Sequence, residues 1–263
     1  MTQMTQRFEG YFLKEREVVN DLLGYEGLKI IQEPGRFNFS LDSTLLAHFV
    51  TIKKGVENML DLCTGNAPVP LMLSLRTAAT IDGVEIQEDS VSQARRSVAM
   101  NGLEKQINIY HNDVKQLHAL FGSQKYDVIT CNPPYFKVDP DSNLNANDAL
   151  TIARHEVLLT LDDVACEAGR LLRQGGSFAM VHRPDRLVEI MDTMRAYKIE
   201  PKRLRFIYPR LDKECNGILI EGTLGGKAGG LRLEAPLVVY EGDTNNYSAE
   251  ILEIFNLKKK DLI

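Results

Sequence analysis

A doubly wound α/β fold, with a mostly parallel sheet and an antiparallel hairpin toward the C-terminus, is what this 263-residue sequence predicts. Three observations carry the expectation. Apolar runs of strand length alternate with helix-period segments through the middle of the chain, the pattern of a parallel sheet covered on both faces. After residue 200 the chain turns strand-rich. The residues suited to chemistry fall just behind the apolar runs, where doubly wound sheets bind their ligands.

The elements follow in order. The first fifty residues mix charge with aromatics and carry turn signals at Gly24, Gly27 and Pro34-Gly35. VENMLDL (56–62) reads as a buried strand, and VPLMLSLR behind it as an apolar helix. TIDGVEI (80–86) is a second strand. DSVSQARRSVAMNGL is a helix, with Val91, Ala94, Val98 and Leu103 near helical spacing and Asn-Gly as its stop. INIY (107–110) and YDVIT (126–130) are the next strands. A polar stretch without strong periodicity, KVDPDSNLNANDALTIARHE, has the length of an active-site loop. LDDVACEAGRLL reads as a helix stopped by Gln174-Gly175-Gly176, SFAMVHR as a strand, and PDRLVEIMDTMRAY as a helix with proline in its first turn. RLRFIY, NGILIEGTL and LRLEAPLVVY read as strands, the last two joined by GGKAGG. NYSAEILEIFNLKKK closes the chain as a helix.

Composition bounds the function. With 44% hydrophobic and 25% charged residues the chain is an ordinary globular one. No apolar run approaches the roughly 18 residues of a membrane span, and the polar N-terminus lacks a signal peptide's apolar core, so the cytoplasm is the expected location. Cys63, Cys131, Cys166 and Cys215 have no metal-ligand spacing. Buried free thiols are expected rather than zinc, another metal or a disulfide framework. A net charge of −5 argues against a protein that coats nucleic acid, yet leaves room for a local basic patch. PKRLRFIYPR (201–210), with Lys202, Arg203, Arg205 and Arg210, is either that patch or the solvated face of a strand.

Four strand-end features carry the chemistry. DLCTGN holds Asp61, Cys63, Gly65 and Asn66 in a strand-to-helix turn, but without the glycine pattern of a phosphate cradle. Glu85, followed by Ile86, ends the second strand 24 residues after Asp61, a spacing that suits hydrogen bonds to ribose hydroxyls. Asp113 can accept from an adenine amine while Val114 packs on the ring, or it can simply cap a helix. TCNPPYF (130–136) ends the fourth strand. A planar amine or amide nitrogen attacks poorly because its lone pair is delocalised. The Asn132 side-chain oxygen and the Pro133 carbonyl can each accept one N–H and orient that lone pair. Pro133 and Pro134 supply rigidity, Tyr135 can stack on a flat base, and Phe136 can extend the wall.

In this order and spacing, DLCTGN, Glu85, Asp113 and NPPYF resemble the class I S-adenosylmethionine-dependent methyltransferases, and NPPY resembles those that methylate planar nitrogens. DLLGYEGLKIIQEPGRFNFSLDSTLLAHF (21–49) looks like the start of the bacterial tRNA(Val) adenine-N6-methyltransferase family, and the likeness extends to APLVVY. The resemblance implies a seven-stranded Rossmann-like sheet. It implies an N-terminal extension (1–50) that adds to the site of a single unit (51–263). S-adenosyl-L-methionine is the implied cofactor and an adenine next to the anticodon the implied target. It would set Phe39, Ser40 and Asp42 over the methionine part of the cofactor, and Asp61, Cys63 and Gly65, with Asn66, along its carboxypropyl arm. Glu85 and Ile86 would meet the ribose, Asp113 and Val114 the adenine. Asn132, Pro133, Pro134 and Tyr135 would hold the target base, with Phe136, Arg154, Arg203 and Arg205 as further RNA contacts. His155, Glu156 and Lys227 are weaker candidates. The class usually carries a second glycine near position 67, where this chain has Ala67. tRNA is the expected partner, with neither a membrane nor an obligate protein partner. Protein glutamine N5-methylation, rRNA guanine-N2 methylation and non-catalytic RNA binding on the same fold are the alternatives.

Overall fold

Strands buried on both faces need apolar residues on both, and the central runs supply them. In a computed structural model that describes residues 4–8, 11–22, 27–34, 40–133 and 159–255, these runs form one sheet. Its long strands are β5 (Asn58–Leu62), β6 (Thr80–Glu85), β7 (Ile107–His111), β8 (Tyr126–Cys131), β9 (Leu172–His182), β10 (Ile199–Tyr208) and β11 (Gly217–Leu224). They lie in the order β10-β11-β9-β8-β5-β6-β7. β5 to β9 are mutually parallel, and β11 runs antiparallel between β9 and β10. Two short strands, β12 (Arg232–Leu233) and β13 (Leu237–Val238), extend the far edge parallel to β10.

Successive strand residues point to opposite faces. Met59, Ile81, Val128 and Ala179 join one core, packed by α1 (Leu41–Phe49), α2 (Pro68–Leu73), α3 (Glu88–Met100) and α7 (Ala249–Phe255). Leu60, Val84, Ile129 and Met180 join the other, under α4 (Leu117–Phe121), α5 (Leu161–Leu171) and α6 (Leu187–Ala196). Two apolar layers on one sheet are the doubly wound arrangement. From β5 the chain runs outward to β6 and β7, then returns to β8 on the other side of β5. The switch point therefore lies between the carboxyl ends of β5 and β8.

Near the N-terminus, β1 (Met4–Phe8) pairs with β2 (Tyr11–Lys14), and β3 (Val18–Asp21) with β4 (Lys29–Gln32), both antiparallel. β4 docks on α3. Ile31 N–H donates to Ser97 Oγ at 2.9 Å, and the Asn101 side chain accepts from Lys29 N–H and donates to Lys29 O. The buried Glu17 carboxylate receives both terminal nitrogens of Arg96, the bidentate geometry that makes such pairs strong.

Two expected boundaries moved. Gln174-Gly175-Gly176 does not end a helix: α5 stops at Leu171, and β9 begins at Leu172 and runs through the glycines. The ladder shifts register there, with Tyr126 opposite Leu172 but Val128 opposite Ser177. Glycine suits this bulge, because a Cβ on Gly176 would lie 2.9 Å from Arg173 O and 3.0 Å from Asp127 O. LRLEAPLVVY is not one strand but β12 and β13, separated by a segment containing Pro236, whose nitrogen has no hydrogen to donate.

Candidate active site

The site is built at the switch point. After β5 the chain turns sharply through Cys63 (φ 58), Gly65 (φ 56) and Ala67 (φ 72) into α2. Ala67 adopts the left-handed conformation that glycine takes without steric cost, so the turn keeps its shape despite the substitution. Around Gly65 there is space: nothing lies within 4 Å of where a Cβ would stand. Asn66 points away from that space and donates its Nδ2 to Ile31 O at 2.8 Å, bracing the turn against β4.

Two carboxylates flank the turn. Glu85 is buried and accepts from three backbone N–H groups: Gly65 on Oε2, Ile86 and Gln87 on Oε1, each at 2.9 Å. Burial raises its pKa, and the three donors oppose the rise. A carboxylate has about four acceptor positions, so capacity remains for a hydroxyl. Asp61 is 2% exposed, and its Oδ1 accepts from Thr130 Oγ1 at 2.6 Å across the β5–β8 ladder. Burial pushes it up to about 7. Thr130 pulls the other way, and the Glu85 charge adds to the rise. Such a shift is a common mark of functional sites. Next to Glu85, Ile86 is 37% exposed, an apolar surface open to a flat ring.

Asp113 caps the short 3-10 turn behind β7, its Oδ1 accepting from Lys115 N–H at 3.0 Å. Val114 is buried in the second core and offers little surface to a ligand, a role the exposed Ile86 fits better. Asn132 and Pro133 directly follow β8. Asn132 Nδ2 donates to Ser43 Oγ, in the first turn of α1, at 3.2 Å. Ser40 is the N-cap of that helix, and Asp42 lies in its first turn. The sequence did not point to Ser43. No pattern joins two residues 89 positions apart, and only the fold brings them together.

Cys131, beside Asn132, is fully buried. Burial pushes its thiol well above the ordinary range, and the neighbouring Cys63 thiol adds to this. A protonated thiol is a poor nucleophile, so Cys131 itself is poorly suited to covalent chemistry.

The basic strand has another job. Arg203 pairs with Glu234 at 2.8 Å and Glu221 at 3.3 Å, and its guanidinium lies 4.2 Å from the Phe49 ring centre. Arg205 pairs with Glu250 at 2.7 Å. Lys202 donates to Lys227 O and Gly229 O, and Arg210 to Gly242 O and Thr244 O. These cations tie β10 to its neighbours, three strands away from β8, and do not join the site. Lys227 follows β11, which is antiparallel, and so lies at the opposite end of the sheet from Asn132. Phe39, Pro134, Tyr135, Phe136, Arg154, His155 and Glu156 lie outside the described residues. Among the described residues no cluster of three His, Cys, Asp or Glu could hold a metal ion, and no helix is long and apolar enough to cross a membrane.

A doubly wound sheet with a tight turn, a buried carboxylate at the end of the adjacent strand and Asn-Pro at the switch point is the architecture of a class I methyltransferase. The comparisons agree. The family model of the methyltransferase small domain matches residues 28–196, and the chain belongs to that family. A Porphyromonas gingivalis protein named tRNA1(Val) (adenine(37)-N6)-methyltransferase is 34% identical over 169 residues, which cover 63% of this chain and 65% of that relative's length. A protein of the same name from Parabacteroides distasonis is 29% identical over 184 residues, 68% of this chain and 74% of that one. Among solved structures, an Agrobacterium tumefaciens protein described as a predicted O-methyltransferase shares the fold at a TM-score of 0.63 and 19% identity, over 82% of this chain and 95% of that one.

Proposed function

We propose that this protein uses S-adenosyl-L-methionine to methylate the N6 amine of an adenine in tRNA, next to the anticodon of tRNA(Val). One observation carries the reading: Asn132-Pro133 stands at the carboxyl end of β8, at the switch point, with the Asn132 Nδ2 held by Ser43. With Nδ2 so engaged, the amide oxygen is the end that can accept an N–H, and the Pro133 carbonyl is a second acceptor beside it. Two fixed acceptors orient a planar amine and favour its lone pair as nucleophile. The names carried by the two curated relatives supply the substrate.

The turn fits the cofactor. Open space at Gly65, spare acceptor capacity on Glu85 and the exposed face of Ile86 suit a nucleoside, with Glu85 toward the ribose and Ile86 against the base. Asp61 suits its cationic amino-acid part, because a positive neighbour favours ionisation of a carboxyl held at about 7. When bound, S-adenosylmethionine supplies an electrophilic methyl on a sulfonium. The amine loses its proton after attack, so the chain's own residues need only orient and desolvate. The segment before residue 50 contributes Ser43 to the site, and a tRNA substrate sets the work in the cytoplasm.

Labelled methyl transfer to total unmodified tRNA, beside transfer to a release-factor protein, tests the reading. Label in tRNA alone is expected. Label in the protein alone would favour a glutamine methyltransferase and overturn it.

A further inference from the structure

We infer that Ser43 is a positioning residue for Asn132, and so for the nucleophilic amine. The inference rests on the N6 reading above and extends it to a residue outside the Asn-Pro-Pro-Tyr motif.

Ser43 is the third residue of α1 and is 2% exposed, in a helix that also buries Thr44, Leu45, Leu46, Ala47 and Phe49. A hydroxyl so placed needs a partner, because burying it unpaired is costly. It does not cap the helix. Ser40 is the N-cap, and Ser43 is tied to it through its backbone, Ser43 N–H donating to Ser40 O at 3.2 Å. The Ser43 side chain is directed instead at Asn132, accepting from Nδ2 at 3.2 Å.

The two ends of a carboxamide are chemically opposite. Only Oδ1 can accept from an N6–H, and an Nδ2 turned toward the amine would set donor against donor. In the productive orientation Nδ2 faces the protein and needs an acceptor there. Ser43 provides it from a helix backed by the core of the domain. Removing that acceptor takes away a contact that favours the productive orientation of the amide. Misplacing the acceptor of a reacting group lowers turnover more than it weakens ligand binding.

The test compares wild type, Ser43→Ala and Ser43→Thr with unmodified tRNA and labelled S-adenosylmethionine. Ser43→Ala is expected to lower kcat about tenfold, with cofactor affinity by calorimetry and KM for tRNA within about twofold of wild type. Ser43→Thr restores a hydroxyl and is expected to recover most of the turnover. Unchanged kcat in Ser43→Ala overturns the inference. Parallel loss of turnover, cofactor affinity and unfolding midpoint also overturns it, because that is the mark of a merely structural residue. The parent reading fails separately, if wild type itself labels no RNA. In that case the Asn132 carboxamide signal decides the contact. Slowed side-chain NH2 exchange in wild type that is lost in Ser43→Ala supports the anchor, and equal exchange in both refutes it.

Discussion

Replacing Asp61 with Asn should make the cofactor-free protein relatively more stable as pH rises. Asp61 is buried beside Glu85, where the neutral hydroxyls of Thr130 and Thr64 only partly offset the burial, and its pKa is pushed up to about 7 from an ordinary 3.8. The folded state therefore holds a proton that the unfolded chain has lost between pH 3.8 and about 7. Stability falls as pH rises through that window and stays reduced above it. From pH 5 to 8 the cost grows by the two units between 5 and about 7. At about 1.4 kcal/mol per unit this is about 3 kcal/mol. Asn keeps an oxygen for Thr130 but cannot ionise. Its new NH2 costs about 1–3 kcal/mol if it finds no acceptor, and that cost does not change with pH. The stability difference between variant and wild type, from urea unfolding at pH 5 and pH 8, should thus shift by about 3 kcal/mol in the variant's favour. An equal difference at both pH values, or a shift toward wild type, would refute the assignment of a strained buried carboxylate. The same variant should bind S-adenosylmethionine more weakly, because the charge lost is the one proposed to meet the cofactor's cation.

The Asp61→Asn background should also unmask His182. Burial and the Arg186 charge hold its pKa down to about 4, below the ordinary 6.5. The unfolded chain protonates first as pH falls, so stability should drop from about pH 6.5 toward 4, and a flat profile there would contradict it. Glu85→Gln removes one charged acceptor from the proposed ribose site. Cofactor affinity by calorimetry should fall about ten- to hundredfold, and wild-type affinity would exclude Glu85 from that role. Asn132→Ala should abolish turnover while cofactor binding survives, and equal loss of both in a folded variant would contradict the division of labour between the two strand ends.

How far the sequence led depended on how local each signal was. Strands β5 to β8 were legible because strands buried on both faces are apolar throughout, and the turn signals between them are local. The start of β9 was not, since Gly175-Gly176 reads the same as a helix stop or a strand bulge until the register with β8 is known. Glu85 and Asn132 could be singled out as candidates because a doubly wound fold binds its ligands at strand ends, and both follow from local strand boundaries. The partners of Arg203 and Arg205 were not legible, because an alternating basic strand looks alike whether its charges meet solvent or the carboxylates of Glu221, Glu234 and Glu250. Asn66 lay in the right turn, but its amide turns back to Ile31. Ser43, the contact that orients the central residue, was hidden because it depends wholly on how α1 packs over the sheet.

The central claim is that the Asn132-Pro133 end of β8 presents an adenine N6 to an activated methyl group. Its most direct test is incubation of the protein with unmodified tRNA(Val) and labelled S-adenosylmethionine, followed by nucleoside analysis of the product and mapping of the labelled position. N6-methyladenosine next to the anticodon is expected, and none with Asn132→Ala. N2-methylguanosine, or label at adenine in the absence of Asn132, would contradict it.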